Sequence, residues 1–119
     1  VPLVLGSAKD GFAAVFQARP GRWPMKTYVI LSRISPDAFR EPSEFKRLAA
    51  TVEARIKAEC PEIKWKHSYA TLGRFDIVDI VESDDEMKVE KAAMIIRAYG
   101  HSTTETMLAT PWKEFLASL

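Results

Sequence analysis

The stretch "TLGRFDIVDIVESDDE", Thr71–Glu86, decides the fold. Gly73 and Arg74 separate two runs of strand character, "IKWKHSYATL" (Ile63–Leu72) and "FDIVDIVE" (Phe75–Glu82). Two such runs joined by a glycine-containing pair read as a β-hairpin. A two-residue type II′ turn fits, with glycine first because φ there is positive. That turn fixes the register. Ala70 is then set opposite Ile77, Ser68 opposite Asp79 and Lys66 opposite Val81 on one face, with Leu72 opposite Phe75. On the other face Thr71 meets Asp76, Tyr69 meets Val78, His67 meets Ile80 and Trp65 meets Glu82.

The elements around the hairpin follow from local chemistry. "KTYVILSRI", Lys26–Ile34, is a strand by its β-branched and aromatic content. "PSEFKRLAATVEARIKAEC" carries Phe45, Leu48, Ala49, Val52 and Ile56 on one stripe at helical spacing, with Ser43 as the expected cap. Cys60-Pro61 ends that helix, since a residue before proline avoids the helical region. "SDDE" opens a second helix, Ser83 and Glu86 standing at capping-box spacing. It runs to about Tyr99, and Gly100 is expected at C′. "STTETMLAT", Ser102–Thr110, is the last strand, and "PWKEFLASL" a short helix with Pro111 in its first turn. The order β-α-β-β-α-β is the split βαβ, ferredoxin-like arrangement: an α+β fold with a four-stranded antiparallel sheet.

The chain of 119 residues holds one domain. A net charge of +1 gives no field that would attract nucleic acid or a membrane surface. No apolar run reaches membrane-spanning length. A single cysteine, Cys60, forms no internal disulfide, so the cytoplasm is the expected compartment. Residues 1–25 stand apart, with three of the five glycines and three of the seven prolines and no lasting period. They read as an irregular arm or, with Met25 as the natural start, as an upstream extension. The division expected is thus 1–25, a domain over 26–110, and a C-terminal helix over 111–119.

The hairpin register leaves both sheet faces partly apolar, Leu72, Phe75, Ala70, Ile77 and Val81 on one and Trp65, Tyr69, Val78 and Ile80 on the other. Two helices cover one face only, whereas a half-solvated antiparallel sheet shows one polar face. The economical cover for the second is another copy of the same sheet in a symmetric dimer or higher even oligomer. The arm and the C-terminal helix are the other candidates.

"TYVILSRI", "YATLGRFDIVDIVESDDE" and "GHSTTETMLAT" together resemble the GYD-domain proteins, small bacterial and archaeal proteins named for a glycine-tyrosine-aspartate pattern. The motif stands here as Leu72-Gly73-Arg74-Phe75-Asp76, with phenylalanine in place of the usual tyrosine, and "TET", Thr104–Thr106, matches the family's last strand. The resemblance covers roughly Lys26–Thr110. It implies a ferredoxin-like fold and a dimeric α+β barrel, with no settled activity. Phe75 brings no hydroxyl to the motif.

Asp76 has two readings: a turn carboxylate that accepts from Thr71 or from turn N–H groups, or a general base or ligand anchor. Asp79 lies among Ile77, Val78, Ile80 and Val81, and a buried carboxylate must be paired or neutral. It either reaches Ser68 or an arginine, or acts as an acid in a cavity. His67 and Tyr69 share a face with Trp65, and a His-Tyr-Asp set around an apolar pocket suits cofactor-free proton transfer. A histidine on an edge strand is otherwise a solvated side chain. Arg33 is a candidate for an anionic ligand or for pairing with Asp79, and Glu105 for ligand contact or cross-strand hydrogen bonding. There is no zinc-spaced Cys/His cluster, no glycine-rich phosphate loop and no nucleophile elbow. The fold order is shared with RNA-binding modules, but the acids of "RFDIVDIV" repel phosphates. Neither metal nor cofactor is expected. The leading expectation is a homo-oligomeric domain that binds a small organic molecule as a sensor or accessory protein. The alternatives are a cofactor-independent oxygenase or isomerase using His67, Tyr69, Asp76 and Asp79, and a structural assembly protein.

Overall fold

The computed structural model describes residues 24–119. The expectations for the arm therefore lie outside the described residues. The elements are β1 (Lys26–Ile34), α1 (Pro42–Glu59), β2 (Lys64–Ala70), β3 (Ile77–Ser83), α2 (Glu86–Tyr99), β4 (Ser102–Ala109) and α3 (Trp112–Ala117). The four strands form one antiparallel sheet in the order β2-β3-β1-β4. The two β-branched strands, β1 and β3, are central, as their apolar content demands. This is the ferredoxin-like βαββαβ arrangement.

The core lies on one face. Tyr28 and Ile30 of β1 and Val81 of β3 pack beneath Val89, Ala92, Ile95 and Ile96 of α2, with Ile56, Cys60 and Ile63 completing the cluster. Apolar burial of this kind contributes about 25 cal/mol per Å². Among the α1 stripe residues only Ile56 is buried. The C-terminal half of α1 is held by α2: Arg55 lies 4.3 Å over the Tyr99 ring and Lys91 reaches Glu59 at 4.0 Å. Its N-terminal half looks onto open space above the sheet.

Several local readings are corrected. The β2–β3 connection is longer than a two-residue type II′ turn: the strands stop at Ala70 and resume at Ile77, and Thr71 N–H donates to Asp76 O at 2.9 Å. Gly73 still has φ +140°, a conformation that side chains with a Cβ rarely adopt. The register from His67 to Ala70 is as the sequence implies, but a bulge falls between Trp65 and His67. Two residues there oppose one, which turns the strand over. Trp65 consequently pairs with Val81, not Glu82, and packs against the core.

The helix ends also differ. Pro42, not Ser43, begins α1, because its missing N–H and fixed φ suit the first turn; Glu41 is the N-cap residue. Glu44 Oε1 reaches back to accept from Arg40 N–H at 2.8 Å. In α2 the cap is Asp85, whose Oδ1 accepts from Met87 N–H at 2.9 Å, while Ser83 Oγ braces the Asp85 backbone. Gly100 has φ −97° and the left-handed residue is His101, φ 49°. Glycine is needed at position 100 for space: a Cβ there would sit 2.5 Å from Ile96 O and 3.2 Å from Val52 Cγ2.

The other sheet face carries Val29, Leu31 and Arg33 of β1, His67 and Tyr69 of β2, Val78 and Ile80 of β3, and Glu105 and Met107 of β4. Val29, Leu31, Val78 and Ile80 are half-buried, and Tyr69 and Met107 exposed. α3 buries none of its side chains, so it does not supply the cover. Among the described residues no helix is long and apolar enough to cross a membrane.

Candidate functional site

The space between α1 and the sheet is a cleft of about 830 Å³. Its walls are largely apolar: Leu48 and Val52 from α1, Ile34 and Ile77 from the sheet, and Ile63 and Ile96 beside them. Its floor is polar. Ser32, Ser68, Trp65 and Asp79 all line it.

Strand alternation explains this floor. Asp79 is paired with Ile30 on one side and Ser68 on the other, so its side chain shares the helix-covered face with both. It is 7% exposed. Ser68 Oγ donates to Asp79 Oδ1 at 2.6 Å, and Trp65 Nε1–H donates to the same oxygen at 3.0 Å. The bulge makes the second bond possible, because without it the indole would lie on the opposite face. Both neutral donors fall on one oxygen. Among the described residues no hydrogen bond ends on Oδ2. Ser32, one pair further along, is 1% exposed, and among the described residues its Oγ has no hydrogen-bond partner. Sequence reasoning did not single out Ser32; a serine in the middle of "YVILSRI" was the available signal.

At the mouth, Lys57 and Glu53 pair across one helical turn at 3.2 Å. Cys60 lines the same space, and burial pushes its thiol pKa up, which keeps it protonated and unreactive.

Asp76 serves the backbone. Its N–H donates to Ser32 O at 2.8 Å, and its Oδ2 accepts from Ile34 N–H at 2.8 Å. The carboxylate thus closes the β1–β3 ladder where β3 has not yet begun, a use other than the bond to Thr71 that turn chemistry suggests. Thr71 Oγ1 donates instead to Phe75 O at 2.7 Å. The Arg74 guanidinium lies 5.6 Å over the Phe75 ring.

The four candidate acid–base residues do not converge within one subunit. His67 and Tyr69 stack, centroids 6.1 Å apart, on the sheet face that no described helix covers. Asp79 is beneath α1 on the opposite face. Arg33 likewise shares the uncovered face with Glu105, which separates it from Asp79. Arg33 also borders a second depression, of about 580 Å³, with Arg97 and His101. Among the described residues no group of three or more His, Cys, Asp or Glu side chains is placed to hold a metal ion.

The family model described as "GYD domain" matches residues 28–119, which includes α3. The chain belongs to the GYD-domain family. Over 103 residues it is 27% identical to a protein of Thermus thermophilus named "Glutamine synthetase and cystathionine beta-lyase binding protein"; the match covers 80% of this chain and 99% of the relative. Two solved structures are similar in outline. One is the de novo designed protein Foldit4, with TM-score 0.49, 16% identity, and coverage of 74% of this chain and 99% of that one. The other is a dimeric ferredoxin-like protein of unknown function from Bacteroides fragilis, with TM-score 0.41, 12% identity, and coverage of 71% and 92%.

Proposed function

We propose that this GYD-domain protein is a cytoplasmic, self-associating accessory protein that binds a small organic molecule in the cleft between α1 and the sheet. The observation that carries this is the composition of the cleft: apolar walls over a floor with, among the described residues, an unpartnered serine hydroxyl and a carboxylate whose hydrogen bonds fall on one of its two oxygens. Ligand sites have this character, a few fixed polar groups in an apolar concavity.

The uncovered sheet face supports the self-association. Val29, Leu31, Val78 and Ile80 form a continuous apolar patch flanked by Tyr69 and Met107. A second copy packed on it completes a barrel of two sheets. The name of the Thermus thermophilus relative favours one further role, docking onto a larger enzyme, in which the ligand would govern that docking. Cofactor-independent catalysis is the weaker reading, because His67 and Tyr69 lie across the sheet from Asp79. A purely structural assembly protein would have no use for a polar cleft floor.

The test uses protein purified gently from its host. Native mass spectrometry is expected to give an even oligomer with extra small mass. Ala49→Trp, which places an indole in the cleft from an exposed position on α1, is expected to abolish that mass without changing the fold. A bare protein that gains no thermal stability from any member of a metabolite set would overturn the reading, since a ligand that binds only the native state must raise stability.

A further inference from the structure

Asp79 is a carboxylate almost wholly removed from water, and both of its donors, Ser68 and Trp65, are neutral. A buried charge is costly unless it is paired. Among the described residues the one cation lining the cleft is Lys57, which stands at the mouth, 76% exposed and bonded to Glu53. Among the described residues the floor thus holds a carboxylate with no cation beside it.

The second acceptor is adjacent. Ser32 pairs with Ile77 while Asp79 pairs with Ile30, so the two side chains are diagonal neighbours on one face. Diagonal neighbours in a sheet lie about 7–8 Å apart. A donor group between them has both oxygens in reach. An ammonium carries three donors and no acceptor, which fits a hydroxyl oxygen and a carboxylate oxygen better than any neutral group does. Above this point the walls are Ile34, Leu48, Val52, Ile56, Ile77 and Ile96.

From this juxtaposition we infer that the ligand is a primary amine with a compact apolar body. Its ammonium sits between Asp79 Oδ2 and Ser32 Oγ, and its hydrocarbon part lies under α1. The inference rests on the cleft being the ligand site.

The test compares three molecules with the same phenyl body: phenethylamine, phenethyl alcohol and hydrocinnamate. Each is titrated into the full chain by calorimetry, with the Trp65 indole N–H followed by NMR. Phenethylamine is expected to bind roughly 10- to 100-fold tighter than the alcohol, the usual value of a hydrogen bond to a charged group. It should also move the Trp65 resonance, and hydrocinnamate should be rejected. Asp79→Asn keeps the acceptor for Ser68 and Trp65 and is expected to bring amine and alcohol within about twofold of each other. Ser32→Ala should weaken the amine severalfold. Equal binding of amine and alcohol by the unaltered protein, a comparison that needs no variant, would overturn the amine assignment and leave the cleft standing. So would tighter binding of hydrocinnamate, which would make Lys57 the recognising charge. Failure of all three to bind, with the Trp65 resonance unmoved, would overturn the cleft reading and this inference together.

Discussion

Trp65 and Asp79 are joined by a 3.0 Å hydrogen bond that exists because one residue of β2 is left over. The bulge between Trp65 and His67 carries the indole to the helix-covered face, where it packs against the core and donates to a carboxylate fourteen residues away. A strand defect thus supports a buried carboxyl group. Asp79→Ala is expected to cost about 1–3 kcal/mol, since the Ser68 hydroxyl loses its acceptor and the Trp65 N–H keeps only Ser68 Oγ, at 3.0 Å. Asp79→Asn should cost less. Urea unfolding followed by circular dichroism separates the two.

Asp76 gives a contrasting expectation. Its carboxylate accepts from Ile34 N–H, a backbone donor at the end of β1. Asp76→Ala should lower stability by about 1–2 kcal/mol, with faster amide exchange at Ile34. Asn at that position keeps an acceptor and should restore most of the loss. An Asp76→Ala protein as stable as the parent would return this residue to consideration as a purely chemical group.

Gly100 and His101 are expected to respond in opposite ways to substitutions that intuition would rank otherwise. Gly100→Ala forces a methyl against the Ile96 carbonyl and the Val52 side chain and should cost about 1–3 kcal/mol. His101→Gly relieves a left-handed backbone worth about 1–2 kcal/mol and gives back part of that as chain entropy, so it should be neutral or stabilising. Thermal melts of the two variants are sufficient.

The uncovered sheet face predicts a concentration-dependent dimer. Ile80→Lys places a charge amid Val29, Leu31 and Val78 and should yield a folded monomer by sedimentation velocity. If the unsubstituted chain sediments as a monomer at every concentration, the second copy is not the cover for this face.

Stability should also fall on the alkaline side. Burial raises the folded-state pKa of Cys60, and burial followed by the nearby Glu86 and Asp85 charges raises that of Tyr28. Both groups stay neutral in the folded chain at a pH where the unfolded chain has begun to ionise. Their contribution is complete below the unfolded-state values and is lost as pH rises through the folded-state ones. Urea midpoints measured from neutral pH upward should decline across that window, and the Cys60→Ala variant should show a smaller share of the decline.

The sequence by itself determined the element order, the hairpin pairing from His67 to Ala70 and the two-sided apolar character of the sheet. Each of these follows from side-chain period and turn chemistry, which act over a few neighbouring residues. It also paired Ser68 with Asp79, because a two-residue period carries register along a strand. The tertiary structure decided the rest. The bulge that relocates Trp65 has no local signature, since it depends on what the indole finds on each face. Gly100 reads locally as a left-handed cap, and only the folded backbone, with Ile96 O and Val52 of α1 both close to where a Cβ would sit, shows that space is the requirement. Ser32 looks like any strand serine until α1 stands off the sheet and leaves its hydroxyl buried without a partner among the described residues. The cleft is a product of packing between elements far apart in the chain, and its chemistry becomes legible only when they are together.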